Sequence, residues 1–140
     1  MIELYSDGSS TPGGGATGWA WVMVRDGKIA HSDHGGDRVG TNNTAELKAA
    51  IQGLKAVGRI FQTARAGEEI VLVSDSRYVL SMARGIWSAA SNLEQIEQLR
   101  LLYNKYCTAT RWVRGHSGDP MNERCDRLAK KARLAQGSSC

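Results

Sequence analysis

No stretch of this chain holds the roughly 18 consecutive apolar residues that a membrane-spanning helix needs, so no membrane association is expected. The opening residues, Met1-Ile2-Glu3-Leu4-Tyr5-Ser6-Asp7, lack a basic region followed by an apolar one, and a secretory leader is not expected either. Cysteine is scarce. Cys107, Cys125 and Cys140 are odd in number and have no paired spacing, which argues against a disulfide framework and against a zinc site. These absences predict a reduced, cytoplasmic protein, in which the glycosylation sequon Asn42-Asn43-Thr44 is a chance match. Charge of one sign is not in large excess: 18 Lys and Arg against 14 Asp and Glu give a net +4, which favours a polyanionic partner only mildly. No internal repeat is present. A chain of 140 residues fits one core and leaves no room for a second. One domain is expected over residues 1–135, with a disordered tail over 136–140.

What is present reads as a mixture of strands and helices. Residues 2–6 form a first strand. Over 18–25, Trp19, Trp21 and Met23 alternate with Ala20, Val22 and Val24, then Asp26-Gly27 makes a hairpin turn into a third strand from Lys28. A helix over 44–58 places Leu47, Ala50, Ile51, Leu54 and Val57 on one face. Ile70-Val71-Leu72-Val73 is a short continuous apolar run, the pattern of a strand buried on both faces. Helices over 76–84 and 93–105, a strand over 109–113 and a helix over 122–135 follow. The last helix collects Cys125, Leu128, Ala129, Ala132 and Ala135 on one face. This order predicts an α/β fold, a mixed sheet with helices on its faces.

Four acids fall at distinctive places. Asp7 ends the first strand, and Asp75 follows the buried strand; in open α/β sheets ligands collect at the carboxyl ends of strands. If those two strands are parallel neighbours, both carboxylates meet at one edge. Glu46 lies in the first turn of the first long helix. Asp126 lies in the first turns of the last helix, one turn after Asn122 and on its face. Each has an ordinary alternative: Asp7 as a turn residue, Asp75 as a helix cap, Glu46 as the partner of Asn43 in a capping box, Asp126 as an ion-pair partner of Lys130. Together they carry more. Converging carboxylates repel unless a cation neutralises them, and hard oxygen ligands suit Mg²⁺. Four acids suit two ions about 3.5–4 Å apart, the arrangement that displaces an oxygen at phosphorus. His116, between Gly115 and Gly118, reads as a loop residue able to move protons near neutral pH. His31 and His34 read as surface residues of the third strand.

Five blocks then carry a resemblance. They are Tyr5-Ser6-Asp7-Gly8-Ser9, the run Gly40-Thr41-Asn42-Asn43-Thr44-Ala45-Glu46-Leu47, Val73-Ser74-Asp75-Ser76, the run Trp112-Val113-Arg114-Gly115-His116-Ser117-Gly118, and Asn122-Glu123-Arg124-Cys125-Asp126-Arg127-Leu128-Ala129. In order and spacing, over nearly the full length, the chain resembles the type 1 ribonucleases H. The resemblance implies a ribonuclease H-like fold, a five-stranded mixed sheet of three antiparallel strands and then parallel ones, flanked by helices. It implies endonucleolytic hydrolysis of the RNA strand of RNA–DNA hybrids, giving 5′-phosphate and 3′-hydroxyl ends, by a monomer. Asp7 would bridge two Mg²⁺ ions, with Mn²⁺ a possible substitute. Asp126 would help hold the ion that activates water, and Glu46 and Asp75 the ion at the leaving 3′-oxygen. His116 would assist proton transfer or product release. Asn42 and Asn43 would read the hybrid's minor groove, where the 2′-hydroxyl tells RNA from DNA. Thr41 would belong to a phosphate pocket, and Arg77 and Asn122 would touch substrate.

Three features depart from the family's pattern. Arg77 stands where many relatives carry Gln. The loop over 9–15 is short and lacks an Asn often found there. Residues 85–92 contain no Lys or Arg, where bacterial relatives often carry a basic protrusion. Two other readings stand beside this one. A transposase or integrase core shares the fold but does not account for Thr41-Asn42-Asn43 or Gly115-His116. An inactive nucleic-acid-binding module does not account for all four acids.

Overall fold

The Asp26-Gly27 turn organises the first half of the sheet. Both residues have positive φ, 53° and 75°, the left-handed pair that lets a two-residue hairpin follow the twist of its strands. The turn joins β2 (Gly15–Arg25) to β3 (Lys28–Gly40), and β1 (Ile2–Ser10) pairs antiparallel with β2 on the other side. Next come α1 (Asn42–Phe61), β4 (Ile70–Ser74), α2 (Arg77–Arg84), α3 (Leu93–Tyr106), β5 (Ala109–Trp112) and α4 (Pro120–Gly137). The computed structural model describes residues 1–61, 68–107 and 109–137. Strand order is β3-β2-β1-β4-β5, with β1–β4 and β4–β5 parallel. The expected element order and mixed sheet are therefore present.

Alternation along the strands serves two covered faces. Ile2, Leu4, Trp21, Met23, Ile70 and Leu72 face α1, α2 and α3, where Leu47, Leu54, Val57, Val79, Ile96 and Leu99 complete one core. Tyr5, Ala20, Val22, Val24, Val71 and Val73 face α4, through Cys125 and Ala129. Each fully buried aliphatic side chain contributes on the order of 1.5–3 kcal/mol. Small residues on α4 match a small residue on the sheet. A Cβ at Gly18 would lie 1.9 Å from the carbonyl oxygen of Ala129, so only glycine lets α4 lie this close to β2.

Boundaries differ from the expected ones for identifiable reasons. β1 does not stop at residue 6. It runs to Ser10 because residues 7–10 pair with β2 as far as Ser10↔Thr17, although their side chains are polar or absent. α1 starts at Asn42, since Thr41 and Thr44 cap it. Thr41 Oγ1 accepts from Thr44 N–H at 3.1 Å, and Thr44 Oγ1 accepts from Thr41 N–H at 2.8 Å. α4 starts at Pro120, because Asp119 Oδ1 accepts from the N–H groups of Met121 and Asn122, each at 3.1 Å. A capping carboxylate followed by proline suits a helix start. Ala135, expected on the buried face of α4, is exposed. Gln136 and Gly137 of the expected tail belong to α4, and residues 138–140 lie outside the described residues.

Candidate active site

Strand register brings the first two acids together. β1 and β4 are parallel, and their last paired residues are Tyr5 and Val73. Asp7 and Asp75 each lie two residues further on, so both stand just past the same end of the β1–β4 pairing. Asp7 is not at the end of its strand, as expected, but inside it, opposite Ala20 of β2. β1 outruns β4, and Asp7 sits just past the point where β4 stops. Asp7 is only 3% exposed.

Glu46 comes to the pair on α1. It lies in the second turn rather than the first, and the capping work falls to Thr41 and Thr44 rather than to Asn43 and Glu46. Glu46 is thus free to turn inward, where it is buried. Gly8 permits the approach. A Cβ there would stand 2.5 Å from Glu46 N and 2.6 Å from Ala45 C. The Gly8 N–H donates to Asp7 Oδ1 at 2.9 Å and to Glu46 Oε1 at 3.1 Å.

Asp75 is likewise freed from capping. Ser76 is the N-cap of α2, its hydroxyl accepting from Val79 N–H at 3.2 Å. The Asp75 carbonyl accepts from Trp112 Nε1 at 3.1 Å. A Cβ on Gly115 would lie 3.2 Å from Asp75 Oδ2, so the loop after β5 runs close against this carboxylate. His116 follows with φ 57°, exposed, and near enough that its charge favours ionised Asp75. Asn122 was expected as a substrate contact. It is 3% exposed, and its side chain hydrogen-bonds Asp75, placing it as a support for the acid. Neither Asn122 nor Trp112 could be assigned to Asp75 from spacing, although both lie in motif blocks. Asp126, half-buried on α4, faces the same cluster and raises the protonation of Asp7, Glu46 and Asp75 by its charge. The alternative ion pair with Lys130 is not formed among the described residues.

The electrostatics follow from burial. Burial pushes the Asp7 carboxyl far above the ordinary carboxylate range, and the neighbouring Glu46 and Asp75 push it further. Glu46 is raised by burial and by Asp75, against the bonds it makes to Asp7 and Gly8. Asp75 is raised by burial, against the Asn122 hydrogen bond. Asp7, Glu46 and Asp75 each offer an oxygen, all within 4.8 Å of one another. Among the described residues, Asp7 Oδ2 and Glu46 Oε2 are buried with no hydrogen-bond partner. Buried oxygens without donors are costly, and hard acceptors so arranged fit a small divalent cation. The donor set therefore suits a metal.

Around the cluster, Thr41, Asn42 and Asn43 are exposed at the N-terminus of α1. Arg77 is exposed on α2, its guanidinium 4.2 Å from the centre of the Trp112 ring. Beyond it lies a groove of about 330 Å³ lined by Arg77, Arg84, Ile86, Trp87, Thr110 and Trp112, among others. His31 and His34 are exposed on β3, away from the cluster's elements.

The comparisons agree with this geometry. The RNase H family profile matches residues 1–134. A curated ribonuclease H of Pseudomonas putida is 37% identical over 143 residues, covering 93% of this chain and 91% of its own. The crystal structure of RNase H1 from the halophilic archaeon Halobacterium salinarum is 28% identical, with TM-score 0.78 over 94% of this chain and 96% of that one. LC11-RNase H1, crystallised in complex with an RNA/DNA hybrid, is 20% identical, with TM-score 0.82 over 99% of this chain and 100% of its own. No helix among the described residues is long and apolar enough to cross a membrane. With its profile matched almost end to end and a close carboxylate cluster on the matching motifs, this chain belongs to the RNase H family of nucleases.

Proposed function

We propose that this protein cuts the RNA strand of RNA–DNA hybrids, using Mg²⁺ held by Asp7, Glu46, Asp75 and Asp126, and leaves 5′-phosphate and 3′-hydroxyl ends. One observation carries the reading: two buried carboxylate oxygens, Asp7 Oδ2 and Glu46 Oε2, lack any donor at the point where the acids converge. Divalent ions at such a site supply Lewis-acid charge neutralisation at phosphorus and a more acidic water. The chain's own groups do the rest. Asp7 binds from β1, Glu46 from α1, Asp75 from the end of β4 and Asp126 from α4. Asn122 and the Trp112 indole hold Asp75 in place. His116, exposed beside Asp75, moves a proton at the scissile phosphate.

Asn42 and Asn43 bind the minor groove, where RNA displays its 2′-hydroxyl. Thr41 contacts a phosphate. Arg77 and the groove beyond it contact the duplex with one arginine pair and two tryptophans. The protein acts as a monomer. The test uses labelled RNA–DNA, RNA–RNA and DNA–DNA duplexes, each with Mg²⁺ and with chelator. Cleavage confined to the RNA of the hybrid and dependent on Mg²⁺ is the expected result. Binding without cleavage would assign a binding module, and cutting of DNA–DNA would assign a less selective nuclease.

A further inference from the structure

Residues 85–92 link α2 to α3 and carry one exposed wall of the groove, Ile86 and Trp87, at 58% and 46% exposure. Burial does not hold side chains this open. Hydrogen bonds hold their backbone instead. Gly85 N–H donates to Met82 O at 3.2 Å, and Ile86 N–H donates to Ser81 O at 2.9 Å, which ends α2 in a left-handed cap at Gly85. Arg100, on α3, then joins both sides of this link. Its Nε donates to Met82 O at 2.8 Å, and its Nη2 donates to Trp87 O at 3.0 Å. A planar guanidinium offers donors in a fixed fork, and here the fork spans the end of α2 and the backbone of Trp87. The four residues of the link after Trp87 and before Asn92 are Ser88, Ala89, Ala90 and Ser91, of which only Ala89 packs against the core. Arg100 is absent from the groove's lining, whereas Arg77 and Arg84 are part of it.

We propose that Arg100 is a positioning residue for substrate: it fixes the Trp87 wall of the groove through two backbone carbonyls and does not itself contact the duplex. The inference rests on the reading of this groove as part of the hybrid-binding surface. Arg100 is spent on the backbone of the link, and the groove's positive charge comes from Arg77 and Arg84 of α2.

The test is a double-mutant cycle on the full chain with Mg²⁺ and hybrid. Arg100→Ala is expected to raise KM roughly ten-fold with kcat unchanged, the weight of one charge-assisted hydrogen bond. In a Trp87→Ala background the same substitution is expected to add nothing. Arg100→Lys keeps the charge but loses the fork, and is expected to stay near the Ala variant. Arg100→Gln, able to meet one carbonyl, should fall between, and gives the same reading where the Ala variant fails to fold. Full rescue by Lys, or additive effects of Arg100→Ala and Trp87→Ala, would overturn the proposal in favour of a direct phosphate contact. Tryptophan emission, taken as the difference from a Trp87→Phe chain, separates the two layers of the argument. If Trp87→Ala and Arg84→Ala leave KM unchanged, the groove reading fails. If Trp87 emission is the same with and without Arg100, the clamp fails whatever the kinetics show.

Discussion

Gly8 and Glu46 meet at 3.1 Å, backbone N–H to Oε1, across 38 residues of chain. This contact joins the middle strand of the sheet to the first helix at the point where charge is most concentrated. It gives Glu46 Oε1 a backbone donor, while Oε2 has no partner among the described residues. The absence of a side chain on residue 8 is what allows it.

Replacing Gly8 by alanine should therefore damage the site and the fold together. The added Cβ meets backbone atoms of Ala45 and Glu46, not a flexible side-chain tip, so α1 has to move. Overpacking of this kind costs about 1–3 kcal/mol, and a displacement of the order of 1 Å in a catalytic group can cost about 10²-fold in rate. Denaturant midpoints and hybrid cleavage by Gly8→Ala measure both. A variant as stable and as active as the parent would show that α1 does not depend on this contact.

Asp7→Asn and Asp75→Asn should separate activity from stability. Asparagine keeps an oxygen for the Gly8 N–H at position 7 and removes one of the crowded charges. Cleavage in Mg²⁺ should be lost, while the metal-free protein should be at least as stable as the parent, because one of the buried, mutually repelling carboxyls is gone. Melting in chelator and cleavage in Mg²⁺ are the two readouts. Parental cleavage by either variant would remove the carboxylates from the mechanism.

The same crowding sets a pH dependence whose sign follows from proton uptake. Asp7, Glu46 and Asp75 hold protons more tightly folded than unfolded. Between the unfolded carboxylate value of roughly 4 and their raised folded values, the native state binds more protons, so its stability falls as pH rises. Taken as the parent minus Asp7→Asn difference in chelator, stability should decline from acid toward neutral pH. Saturating Mg²⁺ should flatten the decline by replacing the protons. A difference that grows more favourable between pH 5 and 8 in chelator would contradict the assignment.

His116→Ala should slow turnover by about 10²-fold, the lower range of general acid–base effects, and should leave Mg²⁺ binding in place. The ring is exposed and next to Asp75, not among the three acids whose oxygens converge. Calorimetric titration with Mg²⁺ and single-turnover cleavage test the two halves. Abolished Mg²⁺ binding would make His116 part of the metal site.

Much of this was legible in the residues because periodicity and turn chemistry are local. The alternation of Trp19 to Val24, the left-handed Asp26-Gly27 pair and the apolar run from Ile70 point to their elements directly, and the acids stand where parallel strands end. What was less legible depended on backbone pairing or on distant partners. Residues 7–10 look like a loop, since Asp, Gly and two Ser carry no strand pattern, and only β2 beside them makes them a strand. Thr44 outcompetes Glu46 for the capping role because its hydroxyl reaches Thr41. The hydrogen bond of Asn122 to Asp75, 47 positions earlier, has no signal in the spacing. Arg100 finds two backbone carbonyls, which carry no sequence signal.

The covering of the sheet's second face also has a consequence for synthesis. Val22, Val24, Val71 and Val73 are covered by Cys125 and Ala129 of α4, and Asp126 arrives on the same helix. Chains emerge from the ribosome at about 5–20 residues per second, so these valines and the first three acids exist for some seconds without their cover. A nascent chain that ends before Pro120 is then an aggregation hazard and not a weak enzyme: it bares an apolar sheet face beside an unneutralised carboxylate cluster. Docking of α4 closes that face and completes the acid set in one event, which ties the earliest moment of catalysis to the moment the fold becomes safe.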